Sequence, residues 1–289
     1  MSNAEINLNE LGLAKEDIIA TATYLAAACD TIWRERNGVG GMAPVPRGPG
    51  ARRFKEETLR ELAVKYLNLA VEFEDSGAMN ALAKMYQDKG AYPANTCENP
   101  GVKSVELLMR SAEKGNPNAC ADIGMFYLGK PVPGFGGDFG SISYDAEKGL
   151  SYLFRALEGG NMKCGRHIGL CYKNGVGTEQ NFEKAYYYYC QAADRGDSTA
   201  KLYKGDCLLK GEGTEQNVKE AIEIYKSMVE NNEHDRTAAA YALACIYRDG
   251  VYAEKDDELA KKYFDFVVKT ATPHENNMLK EAKEALGIE

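Results

Sequence analysis

Three residues with metal-ligating side chains stand close together in the sequence: Cys164, His167 and Cys171. This spacing would place all three side chains on one face of a helix. Thiolate sulfur and imidazole nitrogen are ligands that zinc prefers, so the group could supply three ligands of a zinc site. Both cysteines, however, take positions that a repeat described below reserves for small packed side chains. We therefore interpret them as core residues and predict no metal site.

A serine followed three residues later by a lysine occurs twice, at Ser111–Lys114 and at Ser198–Lys201. In enzymes that react with penicillin, such a pair supplies the nucleophile and its neighbouring lysine. Those enzymes also need a Ser-Asp-Asn and a Lys-Thr-Gly motif, and this sequence contains neither. Because so short a match arises readily by chance, we predict that the protein is not an enzyme.

A glycine-rich segment, residues 134–140, has a composition that phosphate-binding loops share. No strand pattern precedes it and no Lys-Ser or Lys-Thr pair follows it, so nucleotide binding is not supported and we expect no cofactor. The segment belongs to an insertion at 130–147 that carries Phe135, Phe139 and Tyr144. Two interpretations remain open: a surface loop whose aromatic side chains pack back on the protein, or an arm that contacts a ligand.

Composition narrows the class of protein. The chain has 289 residues, of which 35 are basic and 43 acidic, for a net charge of −8. This acidic balance argues against binding to nucleic acid or to anionic lipid. No apolar run reaches the ~18 residues that a membrane span needs, so we expect no membrane insertion. Eight cysteines are too few for a disulfide scaffold of this length. We expect free thiols and a cytoplasmic location, or a periplasmic or secreted one if a signal sequence has been removed.

The chain contains an internal repeat. Residues 175–185 and 211–221 match at seven of eleven positions and lie 36 residues apart. We count positions from the first Ala of each copy, which is position zero. The extended pattern then has a Leu-Gly pair at positions four and five, Tyr at position eight and Gly at position eleven. A second segment follows, with Ala, a small pair seven residues later and Gly three beyond. Five copies cover residues of about 75–115, 116–160, 161–196, 197–232 and 233–271.

Each repeat predicts two antiparallel helices. Positions zero, four and eight form one stripe on a helix, and the Gly after the Tyr suits a helix end in the left-handed conformation. Good N-cap residues precede the second helices at Asp145, Asn181, Asn217 and Asp256. A lone helix pair cannot bury its apolar face, so the pairs must stack on one another. Apart from a tail at 1–13, we predict one domain at 14–289, with a degenerate helix pair at 14–74 and a capping helix at 274–287.

The repeat resembles the Sel-one-like repeat (SLR) family, relatives of the tetratricopeptide repeats. The stretches 170–178 and 191–196 carry the resemblance, which extends over about residues 63–271. It implies an all-α fold, a right-handed α/α superhelical solenoid, and a monomeric, non-catalytic scaffold that binds a protein or peptide. Two alternatives stay open: a penicillin-binding or β-lactamase-like enzyme of the cysteine-rich SLR kind, and a secreted effector that uses the same surface.

The repeat also predicts where a partner would bind. In this superfamily the first helices line a concave groove, and positions two, six and nine of each first helix point away from the packing stripe. Cations exceed acids at these positions, and apolar residues lie between them, which predicts a groove for an acidic partner. With so few positions, the excess could also arise by chance. The predicted groove residues are Asn80, Lys84, Lys163, Arg166, Leu170, Lys173, Leu202, Asp206, Tyr241 and Arg248.

Overall fold

The computed structural model describes residues 14–37, 51–87, 99–129, 143–272 and 275–288. These residues form thirteen α-helices and no β-strand, which confirms the prediction of an all-α fold of helical repeats. The helices are α1 (Lys15–Asn37), α2 (Ala51–Glu72), α3 (Ser76–Gln87), α4 (Pro100–Glu113), α5 (Pro117–Tyr127), α6 (Ala146–Glu158), α7 (Cys164–Asn174), α8 (Phe182–Asp194), α9 (Ser198–Lys210), α10 (Val218–Glu230), α11 (Arg236–Asp249), α12 (Asp257–Thr270) and α13 (Asn276–Leu286).

The chain divides into two compact units, Met1–Asn161 and Met162–Glu289. Unit 1 contains α1 to α6 and unit 2 contains α7 to α13. Within each unit, every helix packs against the next one along the chain, as a stack of helix hairpins requires. The boundary falls between the second and third predicted repeats. That both units form one domain, and that the superhelix is right-handed, stay predictions.

The second helix of four repeats begins at the predicted N-cap residue. The side-chain oxygens of Asp145, Asn181, Asn217 and Asp256 accept hydrogen bonds from the backbone N–H three residues later, at 2.8–3.2 Å. Each cap satisfies one of the backbone donors that a helix start leaves without an intrahelical partner. A local sequence signal therefore fixes where these helices start.

Five of the six second helices also end as the repeat predicts. In these five the backbone φ angle is positive three residues after the small pair, whereas the last second helix, α12, ends at Ala271 with a φ of −62°. Glycine adopts this left-handed conformation freely, whereas a residue with a Cβ atom is strained in it. The left-handed helix end therefore persists at Glu74 and Asn232, where glycine has been replaced, but not at Ala271. The five φ angles are 61° at Glu74, 82° at Gly115, 96° at Gly160, 87° at Gly196 and 57° at Asn232.

The packing stripe forms the core of each unit. Leu82 and Ile123 in unit 1, and Ile168 and Leu243 in unit 2, are at most 1% exposed. Small residues beside them bring the helices together. A Cβ atom on Gly169 would lie only 2.5 Å from a ring carbon of Tyr189. A Cβ atom on Gly205 would likewise lie 2.6 Å from a ring carbon of Tyr225.

The tyrosine at position eight stacks on a tyrosine of the second helix in three repeats. The ring centroids lie 5.8 Å apart in Tyr127–Tyr152, 5.8 Å in Tyr172–Tyr188 and 6.2 Å in Tyr247–Tyr263. A lysine lies over each first-helix ring, with Nζ 4.5–5.9 Å from the centroid. The rings thus fill the seam between paired helices, and the lysines add a cation–π contact.

None of the described helices combines the length and the apolar character that crossing a membrane requires.

Candidate functional site

The predicted groove residues of unit 2 lie on three first helices, α7, α9 and α11. Lys163 is exposed at the start of α7, and the others are partly buried. They therefore lie at the rim of the core, where a side chain can reach a partner. We call this set the first-helix face of unit 2: Lys163, Arg166, Leu170, Lys173, Leu202, Asp206, Tyr241 and Arg248.

Arg166 forms an ion pair with the next repeat. Its Nε lies 3.2 Å from Oδ2 of Asp197, and the side chain of Arg166 is 28% exposed. The other carboxylate oxygen of Asp197 accepts a hydrogen bond from the backbone N–H of Ala200 at 2.8 Å and so caps α9. The Arg166–Asp197 pair therefore links α7 to the start of α9.

Two other cations of this face, Lys173 and Arg248, are also paired. Nζ of Lys173 lies 3.3 Å from Oε2 of Glu212, in the loop after α9. Both ends of the Arg248 guanidinium contact the carboxylate of Asp249, at 2.7 and 3.2 Å, which raises the pKa of Arg248 and lowers that of Asp249. Acids in loops and at helix ends thus offset the cation excess that the helix positions alone predict.

Sequence reasoning missed a further cation beside this face. Lys201, one residue before Leu202, places its Nζ 2.6 Å from Oε1 of Glu233. The same lysine belongs to one of the two Ser-x-x-Lys pairs. The hydroxyl of that pair's serine, Ser198, accepts a hydrogen bond from the backbone N–H of Asp235 at 3.3 Å. Both side chains therefore join α9 to the loop before α11.

Asp206 belongs to the packing between α9 and α10. It accepts a hydrogen bond from the hydroxyl of Tyr225 at 2.7 Å. Burial raises the pKa of the Asp206 carboxyl, and the hydrogen bond from Tyr225 opposes that rise. The structure thus places this predicted groove residue in an internal contact.

Three apolar side chains complete the face, one on each first helix. Leu170 packs against the cluster of Ala185, Tyr189 and Cys207. Leu202 and Tyr241 pack against the larger core of α9 to α13. The hydroxyl of Tyr241 donates a hydrogen bond to Oε2 of Glu281 on α13. The face therefore carries an apolar contact surface between its cations.

Unit 1 holds the remaining predicted groove residues, Asn80 and Lys84 on α3. Asn80 is only 8% exposed, whereas the side chain of Lys84 is 51% exposed. Nζ of Lys84 lies 3.9 Å from Oδ2 of Asp122 on α5. Burial raises the pKa of Asp122 to about 6, and the charge of Lys84 opposes that rise. Sequence reasoning missed Asp122 because it occupies a repeat position between the packing stripe and the predicted groove.

Of the three aromatic residues that the sequence marks as possible ligand contacts in the 130–147 insertion, the structure describes only Tyr144. Phe135 and Phe139 lie outside the described residues. Tyr144 is 66% exposed. Its ring lies close to the backbone of Gly129, since a Cβ atom there would be 3.5 Å from Cδ2 of Tyr144. Tyr144 thus leaves most of its surface free beside the start of α6.

The described cysteines are buried or partly buried. Seven cysteines are described, and no disulfide joins any two of them; the eighth, Cys97, lies outside the described residues. Burial raises the pKa of Cys120, Cys190 and Cys245, and that of Cys207 to about 11. Thiols of raised pKa are poor nucleophiles at neutral pH. In the part of the chain that the structure describes, no three or more His, Cys, Asp or Glu side chains group as a metal site would require.

The other Ser-x-x-Lys serine is also engaged in packing. Ser111 is fully buried and its hydroxyl donates to the carbonyl oxygen of Ser76 at 2.6 Å. Its lysine, Lys114, lies 2.8 Å from a carboxylate oxygen of Glu74. The pair therefore serves the contact of α4 with the start of α3.

Comparison with solved structures identifies similar folds. A Sel1 repeat protein from Oxalobacter formigenes matches with a TM-score of 0.59 and 21% identity, over 85% of this chain and 87% of its own. The protective antigen c5321 of uropathogenic Escherichia coli, which has an SLR fold, matches with a TM-score of 0.60 and 18% identity, over 96% of this chain and 53% of its own. At these identities the likeness establishes the fold alone.

Sequence comparisons reach the same repeat. The mouse (Mus musculus) protein DAP3-binding cell death enhancer 1 is 27% identical over 93 residues, which is 32% of this chain but only 16% of the mouse protein. The rat (Rattus norvegicus) protein of the same name is 25% identical over the same shares. The family model for the Sel1 repeat matches residues 118–161, 166–197, 205–233 and 237–265. These four matches fall on the predicted second to fifth repeats, and the chain belongs to the Sel1-like repeat family.

Proposed function

We propose that this protein is a non-catalytic scaffold that binds an acidic protein or peptide through the first-helix face of unit 2. Sel1 repeats form scaffolds typical of protein–protein interaction. One observation carries the proposal: partly exposed apolar side chains lie on three successive first helices, with partly exposed cations beside them on α7 and α11. Such a surface suits a chain segment with carboxylates around an apolar anchor.

The ion pairs of this face leave donors free for a partner. A guanidinium has five N–H donors; Arg166 uses Nε on Asp197 and places Nη2 3.4 Å from Nε2 of His167. A lysine ammonium has three donors, and Lys173 directs one toward Glu212. The intramolecular pairs hold the cations in place, which lowers the entropic cost of engaging a partner carboxylate. The exposed Lys163 adds a further cation beside Arg166.

The expected affinity is modest. A charge-assisted hydrogen bond contributes ~1.5–3 kcal/mol where it is desolvated. A few such bonds and an apolar contact near Leu170, Leu202 or Tyr241, less the cost of association, amount to about −8 kcal/mol, or a micromolar Kd. This strength suits a reversible scaffold. Because salt screens the attraction between these cations and the partner's carboxylates, added salt should weaken binding.

The test is a selection from a random peptide phage library on the immobilised full chain. The selected peptides are then measured against the wild type and against a variant with Arg166→Gln and Lys173→Gln. Neutral glutamine removes both cations without placing a new negative charge beside Asp197 or Glu212. The matched control is Lys219→Gln with Lys261→Gln, which removes two exposed cations from second helices of the same unit.

We expect acidic peptides to dominate the selection, and the Arg166/Lys173 variant to bind them at least tenfold more weakly. The control variant should bind as the wild type does. Selected peptides with no excess of acidic residues would refute the acidic preference. Equal binding by the wild type and the Arg166/Lys173 variant would refute the location of the site.

A further inference from the structure

Two buried acceptor oxygens in unit 1 lack hydrogen-bond partners. Oδ1 of Asn80 and Oδ2 of Asp122 have no partner among the described residues. Lys84 approaches Asp122, but its Nζ lies 3.9 Å from Oδ2, too far for a hydrogen bond. Leaving a buried polar atom without a partner costs about 1–3 kcal/mol, and more for a charged group. Among the described residues, these two acceptors therefore have hydrogen bonds that are unmade.

The two oxygens lie on neighbouring first helices and near the surface. Asn80 and Lys84 are four residues apart and so share one face of α3. Lys84 in turn lies 3.9 Å from Asp122 on α5, so the face of α3 that carries Asn80 and Lys84 is turned toward this carboxylate. The Asp122 side chain is 17% exposed although its Oδ2 is buried, so this carboxylate lies just beneath the surface. The site thus lies near the surface and has two inward acceptors.

The chemistry of the acceptors selects the ligand. Both orphaned atoms are oxygens that accept hydrogen bonds, so they need donors, and the carboxylate of Asp122 also favours a positive charge. A guanidinium offers several N–H donors in one plane and can bridge two acceptors at once. We propose that Asn80 and Asp122 form a binding site for an arginine side chain of a protein partner, with Lys84 as the resident cation that it displaces. This site is independent of the acidic-partner surface on unit 2.

The charge state of Asp122 should make arginine binding at this site depend on pH. Burial raises the pKa of this carboxyl to about 6, and Lys84 on α3 is the described charged group whose field opposes the rise. The helices α4 and α6, which also pack against α5, contribute no further charged group to this balance among the described residues. Protonation of Asp122 removes the charge that binds arginine, so arginine binding should weaken as the pH falls below about 6.

The probe is the blocked tripeptide acetyl-Ala-Arg-Ala-amide, titrated into the ¹⁵N-labelled full chain and followed by NMR. Its control is the citrulline tripeptide, which has nearly the same shape and no charge. We expect shifts of the backbone signals around residues 80 and 122 with arginine, and at least fivefold weaker binding of citrulline. Between pH 7.5 and pH 5, arginine binding should weaken about tenfold, the loss of ionised carboxylate that a pKa of about 6 gives.

Three variants complete the test. Asp122→Asn should abolish both the preference for arginine and its pH dependence. Lys84→Gln removes the competing ammonium and should tighten arginine binding severalfold, which keeps the proposal testable if Asp122→Asn folds poorly. Glu106→Gln, at an exposed acid on α4, should change nothing. Equal binding of the two tripeptides, signal shifts confined to other regions, or unchanged binding by Lys84→Gln would each overturn the proposal.

Discussion

A close approach between α7 and α8 supplies a sharp test of the repeat. Gly169 lies inside α7, and a Cβ atom there would lie 2.5 Å from Cε1 of Tyr189 and 3.2 Å from the carbonyl oxygen of Ala185. Tyr189 is fully buried, and its ring packs on Tyr203 with centroids 5.2 Å apart. The ring therefore has little room to move, and a side chain at position 169 must displace packed atoms.

The expected magnitude combines two opposing contributions. Replacing an interior helix glycine by alanine gains about 1 kcal/mol of helix propensity. Overpacking a close-packed contact costs about 1–3 kcal/mol, occasionally more. For Gly169→Ala the clash should exceed the gain, leaving a loss of about 1 kcal/mol. Gly169→Leu adds three more carbons to the same space and should lose about 3 kcal/mol or more.

Thermal and urea unfolding, followed by circular dichroism at 222 nm, measure this loss. Each kcal/mol lowers the melting temperature by roughly 2–4 °C in domains of this size, so Gly169→Leu should melt about 6–12 °C below the wild type. The control is Gly101→Ala in the first turn of α4, where a new Cβ atom would meet nothing within 4 Å. If Gly169→Leu melts with the wild type, the axes of α7 and α8 do not meet at this residue and the packing described above is wrong.

For four further changes, the structure gives the direction of the expected effect on the free energy of unfolding. Gly213→Ala should destabilise unit 2 by more than 2 kcal/mol, because a Cβ atom there would lie 2.0 Å from the carbonyl oxygen of Phe182 and because Gly213 has a φ of +75°. Urea unfolding measures the loss, and an unchanged midpoint would contradict it. Asn232→Gly should stabilise by about 1 kcal/mol, because Asn232 holds a φ of 57° that glycine adopts without strain; a lower melting temperature would speak against it. Tyr189→Phe should be neutral or stabilising, because the buried hydroxyl has no hydrogen-bond partner among the described residues; a loss above 1 kcal/mol would reveal one. Burial raises the pKa of Asp122 from 3.8 to about 6, so the folded chain keeps a proton that the unfolded chain releases between these values. The free energy of unfolding should gain a contribution as the pH falls through this range, and Asp122→Asn should remove it; a stability difference between the two proteins that is the same at pH 7 and pH 4.5 would contradict this.

The helices could be predicted because their signals are local. An N-cap such as Asn181 acts on a backbone N–H three residues away, and a helix end such as Gly196 is set by its own φ angle. The packing stripe likewise repeats every four residues. Every signal of this kind is complete within one repeat, so comparing the copies was enough to find it.

The electrostatics of the site could not be predicted in the same way. The partner of Arg166 is Asp197, 31 residues later, and the orphaned carboxylate of Asp122 becomes evident only beside α3. Such pairs join one repeat to the next or to a loop, and the pattern within a single helix does not include them. Counting cations on the first helices therefore overestimated the positive charge of the face.

The Arg166–Asp197 pair shows how this face can serve both the fold and a partner. The two carboxylate oxygens of Asp197 have separate roles, since Oδ1 caps α9 through the N–H of Ala200 and Oδ2 meets Arg166. A partner carboxylate that draws the guanidinium away therefore leaves the cap in place. The cost of binding is then the loss of a partly exposed ion pair, about 0–1 kcal/mol, rather than the loss of a helix start, about 0.5–2 kcal/mol. By the same reasoning, a glutamate at position 166 would repel Asp197 and disturb the cap, so the neutral Arg166→Gln change is the one that separates binding from stability.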